Sequence, residues 1–444
     1  MTTTGRDITM ALGCTALIAL LTLAFPGATV CGTSVASLAV LIPAYLALRG
    51  LGIRSTSSMW VLWAGWLMMC AGMVVNMHYF TDVCGGTPDD PVLYNNDADA
   101  AWSIATGGEK ALSRMAYGML LRGIACITGP NLLIFSALNV LASLLTVILT
   151  GGVAGRLLPD RKSAPALAMA LMCLVSYFVA DSSLLLKDSL CALTVAILAY
   201  GQSRRMTDTA GGWPWVAAAL IMGAYLRPNV LPILCVGLAF TSPWKGKGAI
   251  LSTVPIVIGL AVWRMLYNVT APEVEDVASV AVDETNRLGA YARLAGEYGT
   301  STLLHKILLL PVSVVVQFLL PLPWHYLKHL SFGPTLVWAH FAYPWYLMGG
   351  VLLYGLTSWR RMPRQLLLLT LGGAAMYAAT AFATAGLTSR YALMWLSWLI
   401  PCVAWVLINE RRRKTFLRWM VIYSLAIGIT LAGLYMFNPG NSTL

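Results

Sequence analysis

The stretch PNLLIFSALNVLASLLTVILTGGV, residues 130–153, decides the fold class of this chain. It contains no charged residue and is longer than the roughly 20 apolar residues that carry a helix across a bilayer. Similar apolar runs recur along most of the 444 residues. Hydrophobic residues make up 58% of the chain and charged residues 11%, and the mean hydropathy is +0.73. Because a soluble domain carries roughly 25% charged residues, the sequence predicts an all-α polytopic membrane protein.

Spanning segments are predicted from the length and apolarity of each run. They are 8–26, 34–50, 59–79, 130–153, 164–181, 188–201, 213–226, 229–242, 249–268, 335–356, 365–387, 391–409 and 416–436. A further apolar region, 302–323, contains three prolines. Together these segments predict one transmembrane domain, residues 1–444, with roughly 12–14 membrane helices.

Positive charge predicts the orientation of these segments. The formal net charge of +11 comes from Lys and Arg in short loops between apolar runs, which is typical of membrane topology and not of nucleic-acid binding. Such loops are expected to be cytoplasmic, and they hold Arg49, Arg54, Arg156, Arg161, Lys162, Arg204, Arg205, Lys245, Lys247, Arg360, Arg361, Arg364, Arg411, Arg412, Arg413 and Lys414. Alternation then predicts two long outer loops, 80–129 and 268–302, and short outer turns near 182–188, 227–229 and 388–391.

One conflict arises between Lys247 and Arg360. Both residues are expected to be cytoplasmic, but three apolar regions separate them, and an odd number of crossings cannot return the chain to the same side. The simplest solution is that 302–323 enters and leaves at the outer face, with Pro311 breaking the helix. Irregular backbone at membrane depth is tolerated only where protein or a water-filled cavity covers it. A miscounted segment is the alternative explanation.

Cysteine and histidine patterns predict little chemistry. Most of the nine cysteines lie in apolar segments and are typical packing residues. Cys31 and Cys84 lie in predicted outer loops, so a disulfide between them is an open alternative in an oxidising compartment, although no spacing rule requires it. No CxxC or HExxH motif occurs in the sequence, and the spacing of these residue types predicts no metal site.

In the first outer loop the carboxylates of Asp97 and Asp99 lie one residue apart, close to Tyr94 and Trp102. Two carboxylates this close repel, so the pKa of one is expected to rise unless a cation neutralises the pair. The pattern is typical of a general base or of a divalent-cation site. A solvated acidic loop is the alternative interpretation.

Three predicted outer turns each keep one cation, against the positive-inside tendency. They are Lys187 in LLLKDSL, Arg227 in LRPN and Arg390 in SRY, and Asp188 and Tyr391 follow the first and last of these. Taken singly, each cation is explained by snorkelling to the interface. Taken together, cations on the same side as an acidic pair indicate a site for a phosphate-bearing lipid head group.

With these motifs the chain resembles the GT-C superfamily of integral-membrane glycosyltransferases, which use polyprenyl-phosphate-linked sugars. DAAWSIA, residues 99–105, resembles the acidic outer-loop motif that supplies the catalytic base, with Asp97 as the alternative base. LLKDSL resembles the Lys-Asp turn of bacterial members, LRPN their Arg-Pro turn, and SRYALMWLSWLIP their late Arg-Tyr helix start. The chain departs from the family pattern in that the acidic loop follows the third spanning segment and Ala98 separates the two acids.

The resemblance implies an inverting glycosyltransferase of the bacterial inner membrane, with its active site facing the periplasm or cell exterior. The implied roles are as follows: Asp99 or Asp97 removes a proton from the acceptor hydroxyl, Lys187, Arg227 and Arg390 bind the donor phosphate, and Tyr94, Trp102, Asp188 and Tyr391 contact substrate. No cofactor or metal is implied, although a divalent cation at the acidic pair stays open. The implied partners are the polyprenyl-phosphate sugar, a glycan, lipid or protein acceptor, and membrane lipid, but no nucleic acid.

Two further stretches belong to the predicted outer face. The amphipathic stretches 100–125 and 284–300 are expected to lie along the membrane surface and shape an acceptor cleft.

Two other functions are alternatives to the glycosyltransferase. A polysaccharide polymerase or ligase of the O-antigen type would also use outer Arg residues, but the acidic pair favours the GT-C-like glycosyltransferase. A lipid-linked substrate transporter or flippase is expected to bind near the midplane and to show related halves, whereas these charges lie at one interface.

Overall fold

A computed structural model describes residues 3–83, 112–129, 131–175, 178, 182, 188–207, 211–227, 230–241, 303–319, 343–384 and 393–436. These residues contain fourteen α-helices and no β-strand. Six of the helices are long and apolar enough to cross a bilayer. The predicted all-α polytopic membrane fold is therefore confirmed at this level.

The helices are numbered here in chain order. They are α1 Thr3–Ala24, α2 Val30–Gly50, α3 Thr56–Val83, α4 Leu112–Thr128, α5 Leu132–Leu157, α6 Ala164–Leu174, α7 Asp188–Thr207, α8 Trp213–Leu226, α9 Leu231–Thr241, α10 Leu303–Leu319, α11 Tyr343–Thr357, α12 Arg364–Thr384, α13 Leu396–Asn409 and α14 Lys414–Met436. Those of spanning length are α1, α2, α3, α5, α12 and α14.

Most predicted spans coincide with a helix, with differences at the ends. α6 stops at Leu174, short of the predicted end at residue 181, whereas α7 continues to Thr207 through Arg204 and Arg205. α4 lies inside the predicted first outer loop, and its Tyr117 is fully buried. The predicted span 249–268 and the predicted outer loop 268–302, with its amphipathic stretch 284–300, lie outside the described residues.

The predicted break at Pro311 is wrong. α10 runs without interruption from Leu303 to Leu319 with Pro311 inside it. Proline removes one backbone donor, but the remaining hydrogen bonds on both sides hold the helix, and α2 and α13 accommodate Pro43 and Pro401 in the same way. A broken helix at this position therefore does not explain the odd number of crossings before Arg360.

α5 is the central helix of the described bundle. It packs against α2, α3, α6, α7 and α13, and Asn139, Leu144 and Ile148 on it are fully buried. Glycines let neighbours approach closely: a Cβ at Gly151 would lie 2.6 Å from the side chain of Met169, and one at Gly152 would lie 3.2 Å from the ring of Tyr200. Membrane helices associate through such small residues because lipid tails are as apolar as the helices themselves.

Indole N–H groups join neighbouring helices across this bundle. An indole buried in an apolar environment needs an acceptor for its only donor. The pairs, each a hydrogen bond of 2.9–3.2 Å, are Trp66 to Ser37 O, Trp345 to Phe318 O, Trp395 to Thr380 Oγ1, Trp398 to Val195 O and Trp419 to Gly350 O. These bonds fix the rotation of each helix against its partner.

Three of the basic loops predicted to be cytoplasmic share one end of the bundle. Arg156, at the end of α5, donates from Nε to the Tyr200 hydroxyl at 3.3 Å, which brings it to the C-terminal part of α7. Leu51, just after α2, lies against Gly152. The guanidinium of Arg205 lies 3.8 Å from the ring centroid of Trp213, where α8 begins. Charge alternation predicted that these loops lie together, and the packing agrees.

Residues that flank the two ends of α5 should label from opposite sides of the membrane. In a background with Cys31, Cys84 and Cys126 changed to serine, we expect Thr128→Cys to react with an impermeant maleimide added to intact cells. Lys162→Cys should react only after permeabilisation, because positive charge holds its loop inside. The reverse pattern would invert the predicted topology.

Candidate functional site

The structure describes two of the nine candidate site residues. Asp188 and Arg227 lie in the described part of the chain. The other candidates lie outside it: Tyr94, Asp97, Asp99, Trp102, Lys187, Arg390 and Tyr391. The described part of the site is therefore built from α7, α8 and the turn that precedes α13.

Asp188 and Arg227 form an ion pair. Arg227 donates from Nη1 to Asp188 Oδ1 at 2.8 Å, and the exposed fractions of the two side chains are 13% and 9%. Asp188 is the first residue of α7 and Arg227 follows the last residue of α8. An anion at a helix N-terminus and a cation at a helix C-terminus are both stabilised by the helix dipoles, which adds to their mutual attraction.

This contact links two of the turns that the sequence singled out. The structure pairs Asp188 with a residue 39 positions further on in the chain. A guanidinium carries five N–H donors in a planar fork and can bind a carboxylate and a phosphate at the same time. The pair therefore orients Arg227 without preventing the predicted contact with a phosphate.

The pair lies at the end of α7 opposite its basic residues. At 1.5 Å per residue, Asp188 is about 25 Å from Arg205 along the helix axis, close to the thickness of the hydrocarbon core. α8 begins next to Arg205 and ends before Arg227, so it returns to the same end as Asp188. Two charged side chains thus meet at the end of α7 that positive charge predicts to be outer.

The segment that follows Arg390 and Tyr391 also packs against α7. A single 3-10 turn, Leu393–Trp395, contacts both α7 and α12. Trp395 donates its indole N–H to Thr380 Oγ1 at 2.9 Å, and Trp398 donates to the carbonyl of Val195, two turns into α7. The structure thus joins the turns of Asp188 and Arg227 directly, and it packs the described segment that begins at Leu393 against the helix that Asp188 begins.

A glycine on α8 allows a close approach of α9, while the contact of α8 with α7 at the same position is an ordinary one. A Cβ at Gly223 would lie 2.7 Å from Leu234 of α9 and 3.7 Å from Thr194 of α7. The carbonyl of Gly223 accepts the backbone N–H of Arg227 at 3.0 Å. No sequence pattern predicted a role for Gly223, Thr380 or Trp395. In the sequence Gly223 is marked only by its position, four residues before the isolated Arg227.

Two further sequence predictions remain predictions. Cys31 is exposed near the start of α2, but Cys84 lies outside the described residues, so their disulfide is not tested. The acidic pair proposed as an optional cation site is also outside them. Among the residues that the structure does describe, no group of three His, Cys, Asp or Glu side chains is placed to hold a metal.

Comparison of the chain with protein-family models, curated proteins and solved structures found no match. The function must therefore be argued from the site itself.

The Asp188–Arg227 pair should contribute to stability through a measurable coupling. Asp188→Asn and Arg227→Gln should each cost about 3 kcal/mol, because each leaves the partner charge in a largely dehydrated position. The double variant should cost less than the sum, with a coupling of about 1–3 kcal/mol in thermal or denaturant unfolding in detergent. The matched reference is Asp7–Arg49, at 3.4 Å with exposed fractions of 17% and 30%, for which we expect less than about 1 kcal/mol. Equal couplings would contradict this assignment.

The close approach at Gly223 should be intolerant of a larger side chain. Gly223→Val is expected to destabilise the protein by about 1–3 kcal/mol through overpacking against Leu234. Gly428→Val on α14 is the control, because a Cβ there meets no atom within 4 Å. The control should keep or slightly raise the melting temperature, since valine has the higher helix propensity. Similar losses in both variants would show that glycine loss alone is responsible.

Proposed function

We propose that this chain is an integral-membrane glycosyltransferase that moves a sugar from a polyprenyl-phosphate donor to an acceptor hydroxyl, with a GT-C-like arrangement of helices. The observation that carries the proposal is the Asp188–Arg227 ion pair at the start of α7, the helix that the turn Leu393–Trp395 also contacts. Lys187 directly precedes the pair in the chain, and Arg390 precedes that turn by three residues. A cluster of cations at a membrane interface is suited to a lipid phosphate.

The proposed reaction is a single displacement. Asp99 or Asp97 accepts the proton of the acceptor hydroxyl, and the oxygen forms a bond to the anomeric carbon. The bond from that carbon to the phosphate oxygen breaks on the opposite face, so the configuration inverts. Both electrons of the broken bond leave with the polyprenyl phosphate, and Lys187, Arg227 and Arg390 stabilise the negative charge that develops there.

Asp188 has a positioning role in this scheme. Its carboxylate holds one edge of the Arg227 guanidinium, which reduces the rotamer freedom that a long side chain would lose on binding phosphate. Trp395 and Trp398 fix the segment after Arg390 against α7 and α12. Preorganised charges stabilise a developing anion better than charges that must reorient.

Binding of polyprenyl phosphate to the purified protein tests the proposal. Lys187→Ala and Arg390→Ala should each weaken binding about 10- to 100-fold, the loss expected when one charge-assisted hydrogen bond is removed. Arg227→Lys, which keeps a charge beside Asp188, should weaken it less. Asp99→Ala and Asp97→Ala should leave binding intact, while the variant that removes the base should lower transfer by about 10²- to 10⁴-fold.

Arg161→Ala, at the basic end of the bundle, is the matched control and should bind like the wild type. If Lys187→Ala and Arg390→Ala also behave like this control, the lipid-phosphate site is refuted and transport becomes the better explanation. If binding is lost as expected but the sugar product retains its anomeric configuration by NMR, the single displacement is wrong and the lipid site stands.

A further inference from the structure

Glu410 is a buried carboxylate at the junction of α11, α12, α13 and α14, remote in sequence from the Asp188–Arg227 pair. Only 2% of the residue is exposed. Its Oε2 accepts hydrogen bonds from Arg361 Nη1 at 3.2 Å and the Tyr354 hydroxyl at 3.3 Å, and it forms an ion pair with Arg413, whose Nε lies 2.8 Å away. A buried charge is tolerated when it is paired in this way, so the three partners are expected to hold their positions.

The two guanidinium groups on Glu410 are anchored on one side and open to the surface on the other. The side chains of Arg361 and Arg413 are 53% and 49% exposed, although the carboxylate between them is buried. Tyr354 also contacts the Thr415 hydroxyl at 3.1 Å and stacks edge-on against Phe416. The anchor of the arginines is therefore built into the helix packing and is not a chance surface contact.

The charge around this anchor is strongly unbalanced. The connections 358–364 and 410–418 contain one acidic residue, Glu410, and eight basic residues: Arg360, Arg361, Arg364, Arg411, Arg412, Arg413, Lys414 and Arg418. α12 and α14 both begin in this cluster, and neither has an acidic residue in its first turn. Cations at helix N-termini oppose the helix dipole, whereas an anion there would be stabilised by it. The positive-inside rule accounts for the number of cations but not for the buried carboxylate that orders two of them.

A cavity of about 330 Å³ opens beside Arg361 and is lined by residues 357–361. This volume is at the small end of the range for ligand pockets. Its lining includes the hydroxyl-bearing Thr357 and Ser358, and Trp359, which is half exposed and lies 5.5 Å from the Arg360 guanidinium. Exposed tryptophan at the end of a membrane helix is typical of head-group depth.

We propose that this basic cluster, residues 357–364 and 410–418, binds the phosphate of an anionic phospholipid from the leaflet that faces it. Arg361 and Arg413, set by Glu410, bind the phosphate oxygens, and the cavity next to Trp359 holds the rest of the head group. Phosphate as a chemical group is also offered by soluble metabolites. The position at the ends of α12 and α14, both of spanning length, favours the lipid, and the experiment separates the two sources.

The test uses the full-length protein in phosphatidylcholine nanodiscs with and without phosphatidylglycerol. The readouts are phosphatidylglycerol retained per protein by native mass spectrometry and the shift in melting temperature. The double variant Arg361→Gln/Arg413→Gln should lose about 10- to 100-fold in affinity for phosphatidylglycerol, the effect of removing two charge-assisted bonds. The matched control Arg161→Gln/Lys162→Gln removes two charges from the α5–α6 turn and should retain the wild-type affinity.

Two single variants distinguish a built site from general attraction to anionic lipid. Glu410→Gln raises the positive charge of the cluster, so non-specific attraction of phosphatidylglycerol would become stronger. If Glu410 orders the site, the same variant should bind phosphatidylglycerol more weakly. If Glu410→Gln does not fold, Arg361→Lys tests the same point. It keeps the positive charge but removes the planar guanidinium fork, so it should also weaken binding of phosphatidylglycerol.

The proposal is overturned by any of three results. The first is an equal loss of affinity for phosphatidylglycerol in the control double variant, which would show that net charge alone explains the effect. The second is that Glu410→Gln retains more phosphatidylglycerol than the wild type, or that Arg361→Lys retains the same amount. The third is an equal thermal shift with inorganic phosphate or glycerol 3-phosphate in phosphatidylcholine alone, which would identify a soluble anion as the ligand.

Discussion

Backbone hydrogen bonding in a medium without water is the constraint on which this structure depends. Inside hydrocarbon each unpaired N–H or C=O costs several kcal/mol, and a helix satisfies its backbone groups within one segment. The described chain is accordingly built of helices, and they continue through Pro43, Pro311 and Pro401. The same constraint acts on side chains, because the buried indole N–H groups reach carbonyl or hydroxyl oxygens on neighbouring helices.

Association of these helices has a different origin, since burial of apolar surface offers little gain in lipid. Close packing through glycine takes its place, as at Gly151 and Gly152 on α5 and at Gly223 on α8. Close packing also determines which charged side chains can be buried next to each other. Arg227 reaches Asp188 because α8 packs along α7 and ends next to its first residue, and the resulting pair is almost fully covered.

The two charged clusters differ in a way that bears on their proposed roles. Asp188 and Arg227 are both nearly buried, and their charges balance each other. Around Glu410 the carboxylate is buried but its arginines are half exposed, and the surrounding loops leave a large positive excess. The first arrangement suits precise orientation of a group within a site, and the second suits attraction and capture of an anion at a surface. The two proposals rest on separate residues, so each stands or falls by itself.

The sequence by itself determined the class of protein and much of its helix order. Uncharged runs such as 130–153 predict membrane helices from length alone, and the loops with Arg156 and Arg205 predicted a shared end that the packing shows. These signals are local, because hydropathy and loop charge act on each segment independently of the rest of the chain. The prediction at Pro311 was wrong because proline weakens a helix locally while its neighbouring turns decide whether the helix ends.

Only the tertiary structure decided which charges meet. Asp188 and Arg227 are 39 positions apart, and Arg361 and Glu410 are 49 apart. No pattern within either short segment specifies its partner. Glu410 was overlooked as the single acid in an arginine-rich loop. Its significance comes from burial between α11, α13 and α14, and burial is a property of packed helices and not of the loop's own residues.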